Sequence, residues 1–281
     1  MQFWKMNGAG NDFIILNNLE ERLPPSAFPL LARTLCTPHR SLGADGLMVV
    51  EQAQEGADFK MLFFNSDGSL GEMCGNGIRC VGKFLYDKGL TDQTELTIET
   101  LAGEKTLELH VEGGTVVSVS VDMGEPILTP ERIPVLGAGE SFLSRRIMVN
   151  GREWAVTCVS MGNPHAVVFV PDVDRLNLEE WGPAFEHHAI FPNRTNTEFV
   201  EVENQSTLRM RVWERGSGET MACGTGACAA LVAAVLSYRA RRIATVKLRG
   251  GSLTVRWEES DGHVYMTGPA VTVFEGEWPD T

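Results

Sequence analysis

Two short stretches of the sequence repeat the same order of residue types, and this repetition constrains the fold more than any other feature. The first stretch reads Met73-Cys74-Gly75-Asn76-Gly77 and the second reads Ala222-Cys223-Gly224-Thr225-Gly226. In each, a cysteine and a Gly-x-Gly precede an apolar run that predicts a helix, at 78–87 and at 227–236. The two cysteines are separated by about 150 positions, and so are Asn11 and Asn163, as an internal duplication would give.

The predicted elements follow a similar order in the two halves of the chain. Each half runs through a strand, a turn with glycine and asparagine, further strands, the cysteine loop, its helix and more strands. We therefore expect two similar α+β domains that face each other, with a ligand between them.

Composition narrows the class of partner. The chain has 281 residues and a formal net charge of −13, and it contains no block of Lys and Arg, which argues against nucleic acid or an anionic membrane surface. No signal peptide and no membrane-spanning run is predicted. Six cysteines are too few for a disulfide-stapled secreted scaffold of this length, so we expect reduced thiols in a cytoplasmic protein.

The cysteines divide into two groups. Four of them lie among apolar neighbours or inside predicted helices and are expected to be buried small hydrophobes: Cys36, Cys80, Cys158 and Cys228. Cys74 and Cys223 lie in glycine-rich loops, where a core-filling role is not expected. The spacings between the cysteines do not match those of zinc loops, no histidine cluster lies beside them and no CxxC is present, so no metal and no redox pair is predicted.

A cysteine at a helix start faces unpaired backbone N–H groups and the positive end of the helix dipole, which favours its thiolate and is expected to lower its pKa. Two opposed thiols suit the inversion of a carbon centre, because one removes a proton while the other delivers one to the opposite face. The N–H groups of Gly75, Asn76, Gly224 and Thr225 are candidates for binding a carboxylate on which charge develops. Such a site needs no pyridoxal cofactor.

Polar residues near these loops indicate a second recognition element. Four asparagines fall on turns or strand ends in matching parts of the halves: Asn11, Asn65, Asn163 and Asn196. Arg215 suits a carboxylate and Glu214 an ammonium, so the two could bind a second amino-acid head; an ordinary turn role for the asparagines and a surface salt bridge for the Glu-Arg pair are the alternatives. His165 is either a proton relay or a turn histidine.

Six motifs, taken together, resemble the diaminopimelate epimerase family. They are Met6-Asn7-Gly8-Ala9-Gly10-Asn11-Asp12-Phe13, Phe64-Asn65-Ser66-Asp67-Gly68, Glu72-Met73-Cys74-Gly75-Asn76-Gly77-Ile78-Arg79-Cys80, Gly162-Asn163-Pro164-His165, Arg194-Thr195-Asn196, and the run from Glu214 to Gly226. The motifs occur in the expected order as far as about residue 228.

The resemblance implies a cofactor-independent epimerase that interconverts LL- and meso-2,6-diaminopimelate in lysine and peptidoglycan precursor biosynthesis, and a homodimer. It implies that Cys74 and Cys223 are the acid/base residues. The substrate would be held by Asn11, Asn65, Asn163, Asn196, Glu214 and Arg215, and by the N–H groups of the two glycine loops. Some relatives carry a glutamine where this chain has Gly46, so that side-chain contact is absent here.

The resemblance also implies the architecture. We expect an α+β fold of two pseudo-symmetric domains, each a strand-rich sheet wrapped around a central helix, with the active site in the cleft between them. The expected limits are 1–122 plus 269–281 for the N-terminal domain and 123–268 for the C-terminal domain.

Two other functions are compatible with these motifs. One is another pyridoxal-independent amino-acid racemase of the same two-cysteine fold, which would accept substrates without a second amino-acid head. The other is a non-catalytic binding protein for amino dicarboxylates, which would tolerate replacement of both loop cysteines.

Overall fold

The computed structural model describes residues 1–54 and 56–279, which divide into two compact units. The first unit comprises Met1–Asp122 together with Thr267–Thr281, and the second comprises Met123–Met266. Within the described residues, no helix is long and apolar enough to cross a membrane.

Helices and strands alternate in a similar order along the two units. In chain order they are β1 (Gln2–Gly8), β2 (Asn11–Asn17), α1 (Asn18–Glu21), α2 (Phe28–Cys36), β3 (Gly46–Glu51), β4 (Phe59–Asn65), β5 (Leu70–Gly71), α3 (Gly75–Asp87), β6 (Glu95–Thr100), β7 (Gly103–Glu112), β8 (Thr115–Asp122), β9 (Arg145–Val149), β10 (Arg152–Ser160), β11 (Pro164–Phe169), α4 (Leu178–Glu186), β12 (Asn196–Asn204), β13 (Thr207–Glu214), β14 (Gly218–Thr220), α5 (Gly224–Leu236), β15 (Ile243–Leu248), β16 (Gly251–Trp257), β17 (Val264–Gly268) and β18 (Val271–Glu277). Short 3₁₀ turns occupy Pro25–Ala27 and Pro130–Arg132.

Strand pairing follows one scheme in both units. In the first, β1 is antiparallel to β2, β2 parallel to β3, β3 antiparallel to β4, and β4 parallel to β6. In the second, β10, β11, β12, β13 and β15 pair in the same order and with the same directions. A flanking strand also matches, since β18 is antiparallel to β1 and β9 to β10. This agreement in topology is what the sequence repeat predicts.

A central helix is surrounded by strands in each unit. In the first unit α3 packs against β1, β2, β3, β7, β8 and β18, and in the second α5 packs against β10 to β13, β15 and β16. Burial extends along α3 from Gly75 to Leu85, and in α5 almost every residue from Gly224 to Ala234 is buried. Because so much apolar surface of the helix lies against the strands, the predicted α+β class with a central helix in each unit is confirmed.

Each parallel strand crossover is made by a helix that covers an apolar core. In the first unit α2 joins β2 to β3 and buries Phe28 and Leu35. In the second unit α4 joins β11 to β12 and buries Phe185, whose ring packs edge-on against those of Trp154 and Phe199. These cores hold the strands whose ends carry the candidate site residues.

Candidate active site

Cys74 and Cys223 are the N-cap residues of α3 and α5, and their backbones are nearly superimposable in conformation. Their φ and ψ angles are −132° and 113° for Cys74, and −130° and 112° for Cys223. The helices begin at Gly75 and Gly224, three residues earlier than the sequence predicted. Glycine is a poor residue for a helix interior, but in both loops the Gly-x-Gly forms the first helical turn, where the backbone N–H groups have no intrahelical acceptor. Only in α5 does one of these groups, the N–H of Gly226, donate to the N-cap cysteine side chain.

Cys223 lies in a buried, acidic environment. Its Sγ accepts a hydrogen bond from the backbone N–H of Gly226 at 3.4 Å and lies 3.5 Å from Oγ1 of Thr225. Burial raises the pKa of the Cys223 thiol well above its usual range, and the negative charges of Glu214 and Glu198 raise it further, against the two hydrogen bonds. The expectation that the helix start lowers this pKa is therefore wrong for Cys223, because desolvation and two carboxylates outweigh the helix dipole.

Glu214 ends β13 beside this thiol. Its carboxylate accepts a hydrogen bond from Oγ1 of Thr220 and is close enough to the Cys223 thiol for each group to shift the pKa of the other. Burial raises the pKa of Glu214, although its interactions with Thr220 and Cys223 act in the opposite direction. A carboxyl group with a raised pKa in contact with a thiol is typical of a site that moves protons.

A chain of hydrogen bonds leads from the Cys223 loop into the interior of the second unit. Asn163 Nδ2 donates to Thr225 Oγ1 at 3.3 Å, and Asn163 Oδ1 lies 2.9 Å from His165 Nε2. His165 Nδ1 lies 2.7 Å from Oε1 of Glu198, and both of these side chains are fully buried. Glu198 is not among the site residues predicted from the sequence. The one indication of it in the sequence is that this glutamate directly precedes the apolar strand residues Phe199 and Val200.

Arg215 lies in the turn that follows β13, and Asn196 is the first residue of β12. Asn196 Oδ1 accepts from the backbone N–H of Arg215 at 2.8 Å, and the exposed Arg215 guanidinium donates to the carbonyl of Asn193 at 2.9 Å. Glu186, which the sequence analysis also missed, is buried and accepts from the Gly216 N–H at 3.0 Å. These contacts hold the Glu214-Arg215 turn in place, and the described ion pairs include none between the two residues.

The first unit arranges its own polar residues around Cys74, which is half-buried. Asn76 Nδ2 donates to Asn11 Oδ1 at 2.7 Å, and Asn11 Nδ2 donates to Asp45 at 3.1 Å. The backbone carbonyl of Asn76 lies so close to Gly8 that a Cβ there would approach it to 2.6 Å. Only glycine therefore permits this contact between the β1–β2 turn and the cysteine loop. Asn65 ends β4 and donates to Ser69 Oγ at 2.9 Å.

Buried cations distinguish α3 from α5. The fully buried Arg79 donates to the carbonyl of Gly75 at 3.0 Å, directly after Cys74. Lys83 donates to the carbonyl of Val116 at 2.6 Å and pairs with Asp87 at 2.7 Å. Helix α5 carries no Lys or Arg, and the carboxylates of Glu214 and Glu198 lie near its N-cap cysteine instead.

The other four cysteines are fully buried, as predicted, and their exposed fraction is 0%. Burial raises the pKa of Cys36 and of Cys80 to about 12, and it raises that of Cys158 above the usual range as well. Among the described residues, no group of three or more His, Cys, Asp or Glu side chains is placed to hold a metal ion.

Comparison with known proteins confirms the resemblance seen in the motifs. The family model described as "Diaminopimelate epimerase" matches residues 3–129 and 157–273. A diaminopimelate epimerase from Acetivibrio thermocellus is 56% identical over 278 residues, which cover 99% of this chain and 98% of the relative. One from Methanococcus maripaludis is 54% identical, with 99% of each chain covered.

Solved structures with little sequence identity share the fold. A hydroxyproline epimerase from Agrobacterium vitis matches with a TM-score of 0.72 at 15% identity, over 98% of this chain and 91% of that one. A PhzF-family phenazine biosynthesis protein from Bacillus anthracis also has a TM-score of 0.72, at 18% identity, over 100% and 99% of the two chains. The family match, the full-length relatives and the paired helix-capping cysteines agree, and the chain belongs to the diaminopimelate epimerase family.

Proposed function

We propose that this chain is a diaminopimelate epimerase that interconverts LL- and meso-2,6-diaminopimelate by proton transfer between two cysteines and the α-carbon, without pyridoxal phosphate. The substrate and the reaction rest on the family and its full-length relatives. The observation that carries the two-thiol mechanism is the matched N-cap geometry of Cys74 and Cys223 on topologically equivalent helices. In this proposal one cysteine acts on each face of the reacting carbon.

The charges around the sulfurs favour one assignment of the protons. Cys223 enters as a neutral thiol, because burial and the neighbouring carboxylates raise its pKa. Cys74 is assigned as the thiolate, because it caps the N-terminus of α3 and is only half-buried, whereas Cys223 is buried. Cys74 then takes the α-proton and Cys223 gives its proton to the opposite face, so the enzyme ends with the proton on Cys74 and the charge on Cys223. The reverse reaction restores the starting state.

Backbone donors are proposed to hold the reacting end of the substrate. The N–H groups of Gly75, Asn76, Gly224 and Thr225 belong to first helical turns, whose donors have no intrahelical acceptor. They would bind the carboxylate beside the carbanion, where negative charge increases in the transition state.

The distal amino-acid head is proposed to be bound by side chains. These are Asn11, Asn65, Asn163, Asn196, Glu214 and Arg215. Arg215 is the strongest member of the set, because its turn is braced by Asn196 and Glu186 and its guanidinium is exposed. A braced guanidinium suits bidentate binding of a carboxylate.

Further features are proposed with this function. The domains are 1–122 plus 269–281 and 123–268, and the enzyme is cytoplasmic in lysine and peptidoglycan precursor biosynthesis. A homodimer is supported by apolar side chains on β18, where Val271, Val273 and Phe274 are exposed to 52%, 53% and 44%. Phe274→Glu should then halve the mass measured by sedimentation, whereas an unchanged mass would exclude this surface.

The test is incubation of the protein with LL-diaminopimelate in deuterated water, following stereochemistry and isotope incorporation together. The wild-type protein should give the meso form with deuterium at the inverted carbon. Cys74→Ser and Cys223→Ser should each lose nearly all epimerisation, since a serine hydroxyl is a far weaker acid and base than a thiol.

Cys228→Ala is the matched control, because Cys228 is a buried cysteine of the same helix outside the proposed site. It should retain turnover. Full epimerisation by both serine variants would overturn the two-thiol mechanism, and a lack of activity of the wild-type protein on diaminopimelate would overturn the substrate.

A further inference from the structure

The fully buried Glu198 is a carboxylate to which the proposed function assigns neither a proton transfer nor a contact with the substrate. It lies on β12 beside Phe199, and its exposed fraction is 0%. Within the described part of the chain, its Oε2 has no hydrogen-bond partner, while Oε1 lies 2.7 Å from His165 Nδ1. Burial of a carboxyl group with one unpaired oxygen is unfavourable, so its retention in the interior calls for a role in the site.

Glu198 is connected to the Cys223 sulfur through four successive contacts. His165 links it to Asn163, Asn163 donates to Thr225 Oγ1 at 3.3 Å, and Oγ1 lies 3.5 Å from Sγ. Glu198 and the Cys223 sulfur also lie close to the same glycine. A Cβ on Gly226 would lie 2.7 Å from Glu198 Oε1 and 3.2 Å from the Cys223 Sγ. The carboxylate therefore packs over the same residue whose N–H donates to the sulfur.

The orientation of the Asn163 amide determines which group donates and which accepts in each of these hydrogen bonds. Its oxygen faces His165 Nε2, so Nε2 must carry a proton and donate. Nδ1 and Glu198 Oε1 lie 2.7 Å apart, so a hydrogen bond joins them as well. Because Thr225 Oγ1 already accepts from Asn163, its own O–H remains available to donate to the Cys223 sulfur.

We propose that Glu198 is a positioning residue: by holding His165 with a proton on Nε2, it keeps the Thr225 hydroxyl donating to Cys223. This inference rests on the proposed function, in which Cys223 gives up its proton and becomes a thiolate. The hydroxyl then stabilises the charge that develops on sulfur. Without the carboxyl group, a buried neutral His165 can take the other tautomer, and Asn163 and Thr225 lose their fixed direction.

Two substitutions of Glu198 separate positioning from charge. Glu198→Gln and Glu198→Leu remove the same negative charge, but only the glutamine amide can donate to Nδ1 and keep the proton on Nε2. Thr225→Val removes the hydroxyl and preserves the backbone N–H proposed to bind the substrate. We expect Thr225→Val to lower kcat by about tenfold or more in the wild-type and Glu198→Gln backgrounds, and by less than about twofold in the Glu198→Leu background.

A second measurement does not depend on turnover. The pH profile of Cys223 alkylation, followed by mass spectrometry with the Cys74 peptide as internal reference, should move to higher pH on Thr225→Val in the first two backgrounds only. Glu186→Gln is the control for loss of a buried carboxylate, because Glu186 bonds Trp213 and Gly216 and has no described contact with the chain from Glu198. Thr225→Val should therefore have its full effect in the Glu186→Gln background.

Equal effects of Thr225→Val in all backgrounds would overturn the proposal. If Glu198→Leu does not fold, His165→Leu breaks the adjacent link and carries the same alkylation prediction. A wild-type protein without epimerase activity refutes the proposed function but leaves the alkylation test valid, so the two failures are distinguishable.

Discussion

Replacement of Gly226 by alanine tests the packing of the buried carboxylate against the cysteine loop. Alanine is favoured over glycine inside a helix by roughly 1 kcal/mol, and Gly226 has an ordinary helical backbone, so the substitution would stabilise an isolated helix. In the protein the new Cβ would lie 2.7 Å from Glu198 Oε1, and contact between carbon and oxygen needs more than 3 Å. The carboxylate must therefore shift, and we expect the shift to break its contact with His165 Nδ1.

The size of the effect follows from the bond that is lost. Oε1 and Nδ1 lie 2.7 Å apart in a fully buried pair, and a hydrogen bond to a charged group contributes about 1.5–3 kcal/mol. After subtraction of the gain in helix propensity, Gly226→Ala should lower the free energy of unfolding by about 0.5–2 kcal/mol. It should also lower kcat, because the Cβ would lie 3.2 Å from the Cys223 sulfur.

Gly77→Ala is the matched comparison, since Gly77 has the equivalent position in the first cysteine loop. Its Cβ would meet the terminal methyl of Met48 at 1.8 Å, but a methionine end can rotate away at a cost of about 0.5–1.5 kcal/mol, which offsets the helix gain. Urea denaturation of both variants, followed by circular dichroism, checks the difference. A Gly226→Ala protein as stable as the wild type, or less affected than Gly77→Ala, would refute the reasoning.

Three further predictions concern other parts of the molecule. Burial raises the pKa values of the Cys36, Cys80 and Cys158 thiols, so the folded state favours the neutral thiol. This contribution to the free energy of unfolding is complete below the unfolded thiol pKa of about 8.5 and is lost as the pH rises toward 12. Urea titrations should therefore show a lower free energy of unfolding at pH 10 than at pH 8. Arg79→Met should cost about 1.5–3 kcal/mol of stability, because the buried hydrogen bond from the charged guanidinium to the Gly75 carbonyl is lost; a midpoint of denaturation equal to that of the wild type would contradict this. Arg215→Lys should raise KM for diaminopimelate by about tenfold or more with a smaller effect on kcat, because an ammonium cannot bind a carboxylate bidentately; an unchanged KM in steady-state kinetics would remove Arg215 from the site.

The order of the elements and the two helix-capping cysteines could be predicted from the sequence, because apolar periodicity and glycine punctuation are local signals. The predicted helices start three residues after the observed starts at Gly75 and Gly224. Glycine has a low helix propensity, and a propensity-based prediction takes no account of the N-cap residue that precedes the first turn. The raised pKa of Cys223 could not be predicted from the sequence either. It depends on Glu198 and Glu214, which belong to other strands and reach the thiol only through the tertiary fold.

Glu198 and Glu186 illustrate a second limit. Glu198 lies in β12 and Glu186 is the last residue of α4, and nothing in the sequence pattern indicates that either side chain is buried. Their partners are His165 in one case and Trp213 with Gly216 in the other, and these residues lie about 30 positions away along the chain. Such pairings are set by the parallel register of β11 and β12 and by the packing of α4, which only coordinates reveal.

The discontinuity of the first unit has a consequence for synthesis on the ribosome. Its strand β18 pairs with β1, and Met1 and Trp278 exchange two backbone hydrogen bonds at 3.0 Å and 2.8 Å. The N-terminal half of the chain therefore waits, without its final strand, until nearly all of the remaining protein has emerged. The second unit is uninterrupted and can form as soon as its own residues leave the exit tunnel. The part that is translated first is the part that is completed last.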